Sequence, residues 1–157
     1  MHWVFAYGSN MDLEDLGLWL TKRNLPPARI VQAQAAKLVG YRLVWNHFSK
    51  TRGGGVANIE PADSDLPGVA LCVDHPTLSA LDRKEGYPSR YGRALSEAVL
   101  GTGTRIQAWA YRVQAEHWLD GIVHPSRHYK GILVRGATRF GLPPEYISHL
   151  NALETCD

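Results

Sequence analysis

The stretch VFAYGSNM, residues 4–11, decides how this chain begins to fold. Its apolar run stops at Gly8, Ser9 and Asn10, which are small and polar. Such a boundary is typical of a buried strand that leaves the core through a short turn. The pattern predicts a first strand over residues 3–7 and raises the question of what the turn binds.

A helix is predicted directly after this turn. Asp12 is a suitable N-cap, and acidic residues follow it in the first turn, where the helix dipole favours them. Leu13, Leu16 and Leu20 then recur at spacings of three and four, as one apolar helix face requires. The Gly-Ser-Asn segment therefore lies between a strand end and a helix N-terminus.

The rest of the chain predicts runs of strands with helices inserted between them. Strands are predicted over 30–45, with a bend at Gly40, and over 56–60, 68–73, 93–100 and 105–113. A loop is predicted over 53–55 and a turn over 101–103. Helices are predicted over 74–84 and 126–154, the second broken at 141–145. This order argues against a doubly wound sheet. We expect an α+β fold, a small mixed, mostly antiparallel β-barrel with surrounding helices, as a single domain over residues 1–157.

Composition excludes several functional classes. The formal net charge is +2 and the Lys and Arg residues are scattered, so no nucleic-acid stripe is predicted. Two cysteines, Cys72 and Cys156, are too few for a disulfide framework and indicate a reduced, cytoplasmic protein. The sequence predicts neither a secretory leader nor an apolar segment of membrane-spanning length. We expect a monomer with no nucleic-acid or membrane partner.

Several common catalytic and cofactor motifs are absent. There is no G-x-G-x-x-G, Walker loop or G-x-S-x-G elbow, and no cofactor is predicted. His124 and His128 are spaced four apart, as a metal pair on a helix would be. Without an accompanying Glu or Cys pair, solvated or capping histidines are favoured over a metal. Cys72 lies in an apolar strand, which favours a core residue over a nucleophile.

The turn at residues 8–10 has two interpretations. Its backbone N–H groups and the following helix dipole could form a nest for a carboxylate or an oxyanion. Gly8 would allow close approach of a ligand, and Ser9 and Asn10 would add side-chain hydrogen bonds. Alternatively, this is an ordinary strand-to-helix turn in which Asn10 or Asp12 caps the helix, and physical chemistry alone favours that view.

Glu85 is the candidate partner for this turn. It follows Leu78 and Leu81 at helical spacing, so it falls on the stripe expected to face the core. Burial and the C-terminal end of the helix dipole would both raise its pKa, which suits a group that takes and returns a proton. The spacing equally allows a solvated or ion-paired Glu85. Asp82, on the adjoining stripe, is the competing carboxylate.

Two tyrosines are candidates for the walls of a pocket. Tyr91 and Tyr129 could each turn a hydroxyl toward a ligand, although either could equally be ordinary packing.

The chain resembles the γ-glutamylcyclotransferase family in a set of short motifs. They are F-A-Y-G-S-N at 5–10, G-V-A-N-I at 55–59, L-D-x-x-E-G at 81–86, P-S-x-x-Y-K at 125–130 and G-L-P-x-E-Y at 141–146. Each motif alone is weak, but they fall in the family's order and span almost the whole chain. The short chain and the triple-glycine loop look similar to the compact bacterial members.

The resemblance implies a fold, a reaction and a site. It implies a small barrel with surrounding helices, and a γ-glutamyl unit bound around Tyr7, Gly8, Ser9 and Asn10. It implies Glu85 as the catalytic proton acceptor, with Tyr129 lining the pocket. The α-amine of the γ-glutamyl group would attack its own γ-carbonyl, releasing 5-oxoproline and a free amine. No metal or cofactor is required by this chemistry.

Other functions stay open at this point. A hydrolase or amidotransferase could use the same Glu to activate water or an external amine, and a binding module could keep the pocket without turnover. A third reading treats the five dispersed tryptophans and several arginines as an interaction surface, although most of the tryptophans should be core.

The leaving amine would be selected by loops at the pocket mouth, over 46–55, 87–92 and 114–128. Candidate or solvated residues there are Arg52, Arg90, Glu116, Asp120 and His124.

Overall fold

The computed structural model describes residues 1–157 as five strands and four helices. They are β1 (His2–Ala6), α1 (Leu13–Lys22), β2 (Ile30–Ser49), β3 (Gly54–Val73), α2 (His75–Glu85), β4 (Tyr91–Leu100), β5 (Arg105–Val113), α3 (Arg127–Arg139) and α4 (Pro144–Asn151). Short 3₁₀ turns lie at Ser9–Met11 and Ala115–His117. None of the helices is both long and apolar enough to cross a membrane.

The strands close into a barrel in the order β1-β3-β2-β4-β5. β1 is antiparallel to β3 and parallel to β5, where Val4 pairs with Trp109. The other neighbouring pairs are antiparallel. The predicted fold, a mixed and mostly antiparallel barrel with surrounding helices, is confirmed. Because β1 is paired with β3 on one side and with β5 on the other, the barrel fixes the position of the turn that follows β1.

β3 corrects the prediction of two separate strands at 56–60 and 68–73. It runs without interruption from Gly54 to Val73, although Pro61 and Pro67 lie inside it. Within β3, only Val69–Val73 pair with β1, so the earlier part of β3 has β2 as its only strand partner. An open edge tolerates proline because no second ladder needs its missing N–H.

Gly55 allows two backbone segments to cross. A Cβ at this position would lie 1.8 Å from the Val123 carbonyl oxygen, and the Gly55 N–H donates to the His124 carbonyl at 2.8 Å. Gly54 and Gly55 therefore belong to β3 and not to the predicted loop. The crossing brings Ser126 to the start of α3, where its Oγ accepts a hydrogen bond from the Tyr129 N–H. This arrangement sets where Tyr129 enters the protein.

The sulfur and tryptophan side chains are distributed between core and surface. Cys72 is buried in β3, Cys156 is exposed, and both are free thiols. Trp45 is buried, while Trp3, Trp19 and Trp109 are partly buried against the core. Trp118 is 39% exposed, so the expectation of mostly core tryptophans does not extend to it.

Candidate active site

A cavity of about 760 Å³ opens between the turn after β1, the end of α2 and the first turn of α3. All seven residues predicted for the site line it: Tyr7, Gly8, Ser9, Asn10, Glu85, Tyr91 and Tyr129. Arg52 and Arg90, two of the predicted mouth residues, also line it. Glu116, Asp120 and His124 do not line it; their segment is hydrogen-bonded to β2 at Trp45 and Asn46 and to β3 at Gly55.

The turn after β1 is a single 3₁₀ turn over Ser9–Met11. It is closed by hydrogen bonds from the Met11 N–H to the Gly8 carbonyl (3.1 Å) and from the Asp12 N–H to the Ser9 carbonyl (3.0 Å). The Ser9 and Asn10 N–H groups have no partner within the protein. A Cβ on Gly8 would lie 3.1 Å from the Tyr129 hydroxyl oxygen, so this glycine keeps the space between the turn and α3 open.

Asp12, and not Asn10, is the cap of α1. Its carboxylate accepts from the Glu14 N–H at 3.1 Å and pairs with Arg135 at 2.7 Å. The side chain of Asn10 is thereby free for another role. Its Nδ2 donates to Glu85 Oε1 at 2.9 Å. The two segments that the sequence singled out are thus in direct contact.

Glu85 is the last residue of α2. Leu78 and Leu81 of the same helix are buried, as the spacing predicts, and Gly86 ends the helix with a φ of 70°. Burial raises the pKa of the Glu85 carboxyl above its ordinary value, while Lys84, the Asn10 hydrogen bond and Arg52 act to lower it. The Glu85 carboxyl is therefore partly buried and oriented by the Asn10 amide. Its pKa is shifted in the direction that suits a group that both takes and returns a proton.

Asp82, the competing carboxylate, is committed elsewhere. Its Oδ1 accepts from the Tyr111 hydroxyl at 2.6 Å and lies 2.8 Å from Arg93 Nε. It does not line the cavity. Asp82 thus ties α2 to β4 and β5, while Glu85, one turn later, faces the cavity.

Lys84 is a residue of the site that sequence analysis missed. Its side chain is only 5% exposed, and its Nζ donates to Ser9 Oγ at 3.0 Å and to Asn10 Oδ1 at 2.5 Å. Burial lowers its pKa, against the influence of Glu85 and Asp15. A lysine in a helix of mixed polarity carries no signal of burial, because its partners lie more than seventy residues away in the chain.

An ion pair beside Lys84 borders the cavity. Asp15 accepts two hydrogen bonds from Arg52, at 3.1 and 2.8 Å, and lies 3.8 Å from Lys84 Nζ. Although burial opposes the shift, the hydrogen bonds from Arg52 and the charge of Lys84 lower the pKa of Asp15. The guanidinium also lies over the Tyr129 ring, 5.7 Å from its centre. Arg52 is therefore paired and not a free cation at the mouth.

The three tyrosines differ in what their hydroxyls can do. Tyr7 donates its hydroxyl proton to the Tyr111 carbonyl at 2.6 Å, so this hydroxyl is used within the barrel. The Tyr129 oxygen accepts from the Ala57 N–H at 3.2 Å, which leaves its own proton available. Burial raises the pKa of Tyr91 well above its ordinary value. The hydroxyl of Tyr91 therefore stays neutral and able to donate.

The histidines are spread over different surroundings. His128 lines the cavity, whereas His124 lies 3.7 Å from Glu154. His47, which the sequence did not single out, is buried against Tyr91, and its Nδ1 lies 3.3 Å from the His117 carbonyl. No group of three or more His, Cys, Asp or Glu side chains is arranged to hold a metal ion.

The chain is similar to known proteins in both sequence and fold. The family described as "Gamma-glutamyl cyclotransferase, AIG2-like" matches residues 4–131. Curated gamma-glutamylcyclotransferases of Bos taurus and Homo sapiens are 32% and 31% identical, over 98% of this chain in each case and 79% of each relative. A solved structure titled gamma-glutamyl cyclotransferase superposes with a TM-score of 0.84 at 28% identity, covering 99% of this chain and 89% of the other.

These matches define the class of protein. The chain belongs to the gamma-glutamyl cyclotransferase, AIG2-like family, as the five motifs of the sequence indicate.

Proposed function

We propose that this protein is a γ-glutamylcyclotransferase in which Glu85 is the general base and acid. The turn at Gly8–Asn10 binds the γ-glutamyl unit, and Tyr91 and Tyr129 line the same pocket. The products are 5-oxoproline and a free amine or amino acid. We further propose that residues 1–157 act as one domain and that the substrate is a small molecule. The monomeric state and the cytoplasmic location stay predictions.

One observation carries this proposal. The Glu85 carboxylate and two unpaired backbone N–H groups, those of Ser9 and Asn10, border one cavity and are linked by the 2.9 Å bond from Asn10 to Glu85. A proton acceptor and a set of donors for oxygen are what an intramolecular attack on a carbonyl needs. The ordinary-turn interpretation leaves this link unexplained, because Asp12 already caps the helix.

The reaction balances without a further reactant. Glu85 takes a proton from the α-amine of the γ-glutamyl group, and the amine nitrogen forms a bond to the γ-carbonyl carbon. A five-membered ring closes, and the donors of the turn stabilise the developing oxyanion. The bond from that carbon to the leaving nitrogen then breaks, and Glu85 returns the proton to the leaving amine.

Positioning supplies much of the rate in this scheme. The nucleophile is part of the substrate, and good orientation of such a group is worth roughly 7–11 kcal/mol of the barrier. Proton transfer by a positioned carboxyl contributes about 10²–10⁴-fold more. The protein's task is therefore to hold the γ-glutamyl unit folded with its amine beside Glu85.

The charge of the cavity supports a further detail of the substrate. Six lysine and arginine side chains and two carboxylates line it. Four of the six make no ion pair: Lys22, Arg23, Arg83 and Arg90. An excess of unpaired cations attracts anions and repels cations. We therefore propose a leaving group that carries a carboxylate, as in a γ-glutamyl amino acid, in preference to a γ-glutamyl-capped amine that has none.

The test is a product analysis in water enriched in oxygen-18. Purified protein is incubated with γ-glutamyl amino acids, γ-glutamyl-ε-lysine and γ-glutamyl-capped amines, and products are identified by mass spectrometry. Cyclisation gives 5-oxoproline without solvent oxygen, together with the free amine. Glutamate carrying one solvent oxygen would instead indicate a hydrolase. Binding of a γ-glutamyl compound without any product would indicate a binding module.

A further inference from the structure

Lys84 is held inside the site by close contacts to the turn after β1. Its Nζ donates to Asn10 Oδ1 and Ser9 Oγ, and the amide nitrogen of the same Asn10 donates to Glu85. Lys84 and Glu85, which are adjacent in α2, thus hydrogen-bond to the oxygen and the nitrogen, respectively, of the Asn10 side-chain amide. The result is a closed hydrogen-bonded loop that joins α2 to the turn.

The chemistry of these groups permits one arrangement of the amide. An ammonium group only donates hydrogen bonds and a carboxylate only accepts them. The amide oxygen of Asn10 must therefore face Lys84, and its NH₂ group must face Glu85. A rotation of the amide by half a turn would place oxygen against carboxylate and NH₂ against ammonium. Lys84 locks the orientation in which Asn10 donates to the base.

Charge balance around Asp15 does not account for the position of Lys84. Arg52 already supplies Asp15 with two hydrogen bonds, the shorter at 2.8 Å, whereas Lys84 Nζ lies 3.8 Å from that carboxylate. The shortest contact of Lys84 is the one to Asn10, at 2.5 Å. Burying a lysine is costly, so a contact with a site residue points to a role there.

We propose that Lys84 is a positioning residue, which through Asn10 fixes the Glu85 carboxylate in the orientation that accepts the substrate proton. The inference rests on the proposed function of Glu85, because it assigns how that base is oriented. Lys84 contacts the turn and the asparagine and has no bond of its own to the Glu85 oxygens. Its effect on the reaction is exerted through Asn10 and through its positive charge.

Lys84 opposes the protonation of Glu85. Burial favours the neutral acid, and the Asn10 donor and the Lys84 charge favour the carboxylate. Loss of Lys84 removes the second influence and frees the amide to turn, so the pKa of Glu85 rises. The charged and titratable groups around Glu85 are Lys84 on the same helix and, from other segments, Arg52, Tyr7, Tyr91, Tyr111 and Tyr129.

Three substitutions of Lys84 separate the effect of its charge from the effect of its hydrogen-bond donors. Lys84→Met removes both charge and donors, Lys84→Gln keeps a donor without charge, and Lys84→Arg keeps both. Lys37→Gln, an exposed position on β2, is the matched control for the loss of one positive charge. The first readout needs no turnover: a carbon-13 NMR titration of the glutamate carboxyls, with the Glu85 signal assigned by its disappearance in Glu85→Gln.

We expect Lys84→Met to raise the titration midpoint of Glu85 by about one pH unit, the lower end of the usual effect of a nearby charge. Lys84→Gln should show a smaller rise, and Lys84→Arg and Lys37→Gln should match the wild type. In kinetics, the acid limb of kcat/KM should move up by the same amount, with KM within about threefold of wild type.

An unchanged Glu85 midpoint in Lys84→Met would overturn the inference, and so would failure of Lys84→Arg to restore it. A residue that only supports the fold would lower the thermal midpoint of the protein without moving this titration. If the wild type forms no 5-oxoproline, the proposed function fails by itself. The NMR titration still decides whether Lys84 controls Glu85.

Discussion

The side-chain amide of Asn10 donates to the carboxylate of Glu85 at 2.9 Å, across 75 residues of sequence. This bond joins the turn that ends β1 to the last residue of α2. It converts two separate local features, a polar turn and an inward-facing carboxyl, into one site. The activity proposed for the site depends on this contact and on the packing that maintains it.

The acid limb of the pH–rate profile should report Glu85. The free enzyme needs Glu85 as a carboxylate, so kcat/KM falls as the pH falls through its pKa. Because burial raises that pKa, the midpoint of the limb should lie above the ordinary glutamate value of about 4.3. The measurement is kcat/KM against pH on a γ-glutamyl amino acid. A limb at or below the ordinary value would contradict the environment described for Glu85.

Glu85→Gln should not destabilise the protein. A carboxyl whose pKa is higher in the folded than in the unfolded state binds more protons when folded, so its contribution to stability declines as pH rises between the two values. Above the folded pKa, removal of the charge relieves that penalty. Thermal unfolding should therefore give an equal or higher midpoint for the variant at pH 8. The difference should shrink as pH falls through the pKa of Glu85, and a lower midpoint at pH 8 would argue against a buried base.

Gly55→Ala should disturb the entry of α3 into the site. The new Cβ would meet the Val123 carbonyl, which must move. Overpacking of this kind costs about 1–3 kcal/mol and here also displaces Ser126 and Tyr129. We expect a lower unfolding midpoint and reduced turnover.

Gly17→Ala in α1 is the matched control for this change. A Cβ at Gly17 meets nothing within 4 Å, and alanine is favoured over glycine within a helix by about 0.5–1 kcal/mol. This variant should be as stable as wild type or more so. Equal behaviour of the two variants would show that the crossing at Gly55 is not constrained.

The unpaired cations at the mouth predict a charge preference for the leaving group. γ-Glutamyl-glutamate should be turned over with a higher kcat/KM than the near-isosteric γ-glutamyl-glutamine. The advantage should decline with added salt, because exposed charges are screened. Arg90→Gln should reduce the ratio of the two kcat/KM values. A ratio of one at low salt, or a ratio that salt does not change, would remove the electrostatic basis for this preference.

Local signals predicted much of the fold and part of the site. The Asp12 cap, the end of α2 before Gly86 and the inward position of Glu85 follow from short-range patterns, and the structure agrees with each. The continuity of β3 was missed because Pro61 resembles a strand breaker. Only the pairing of strands shows that this part of β3 has an open edge.

Contacts between distant segments account for what could not be predicted. The burial of Lys84 depends on Ser9 and Asn10, and its sequence context in α2 is that of an ordinary exposed lysine. The same holds for the Tyr7 hydroxyl, which is used by the Tyr111 carbonyl. A spacing rule identifies which face of a helix turns inward, but not which polar groups meet there.

The most direct test of the account compares two carboxylates of α2 under the same assay. Glu85→Gln should lower kcat by about 10²–10⁴-fold, the usual contribution of a positioned proton acceptor, with the fold retained. Asp82→Asn should lower the unfolding midpoint, because it weakens the contacts to Tyr111 and Arg93, while 5-oxoproline is still formed within several-fold of the wild-type rate. Near-normal 5-oxoproline formation by Glu85→Gln, or its abolition by Asp82→Asn in a folded protein, would contradict the assignment of Glu85 as the base.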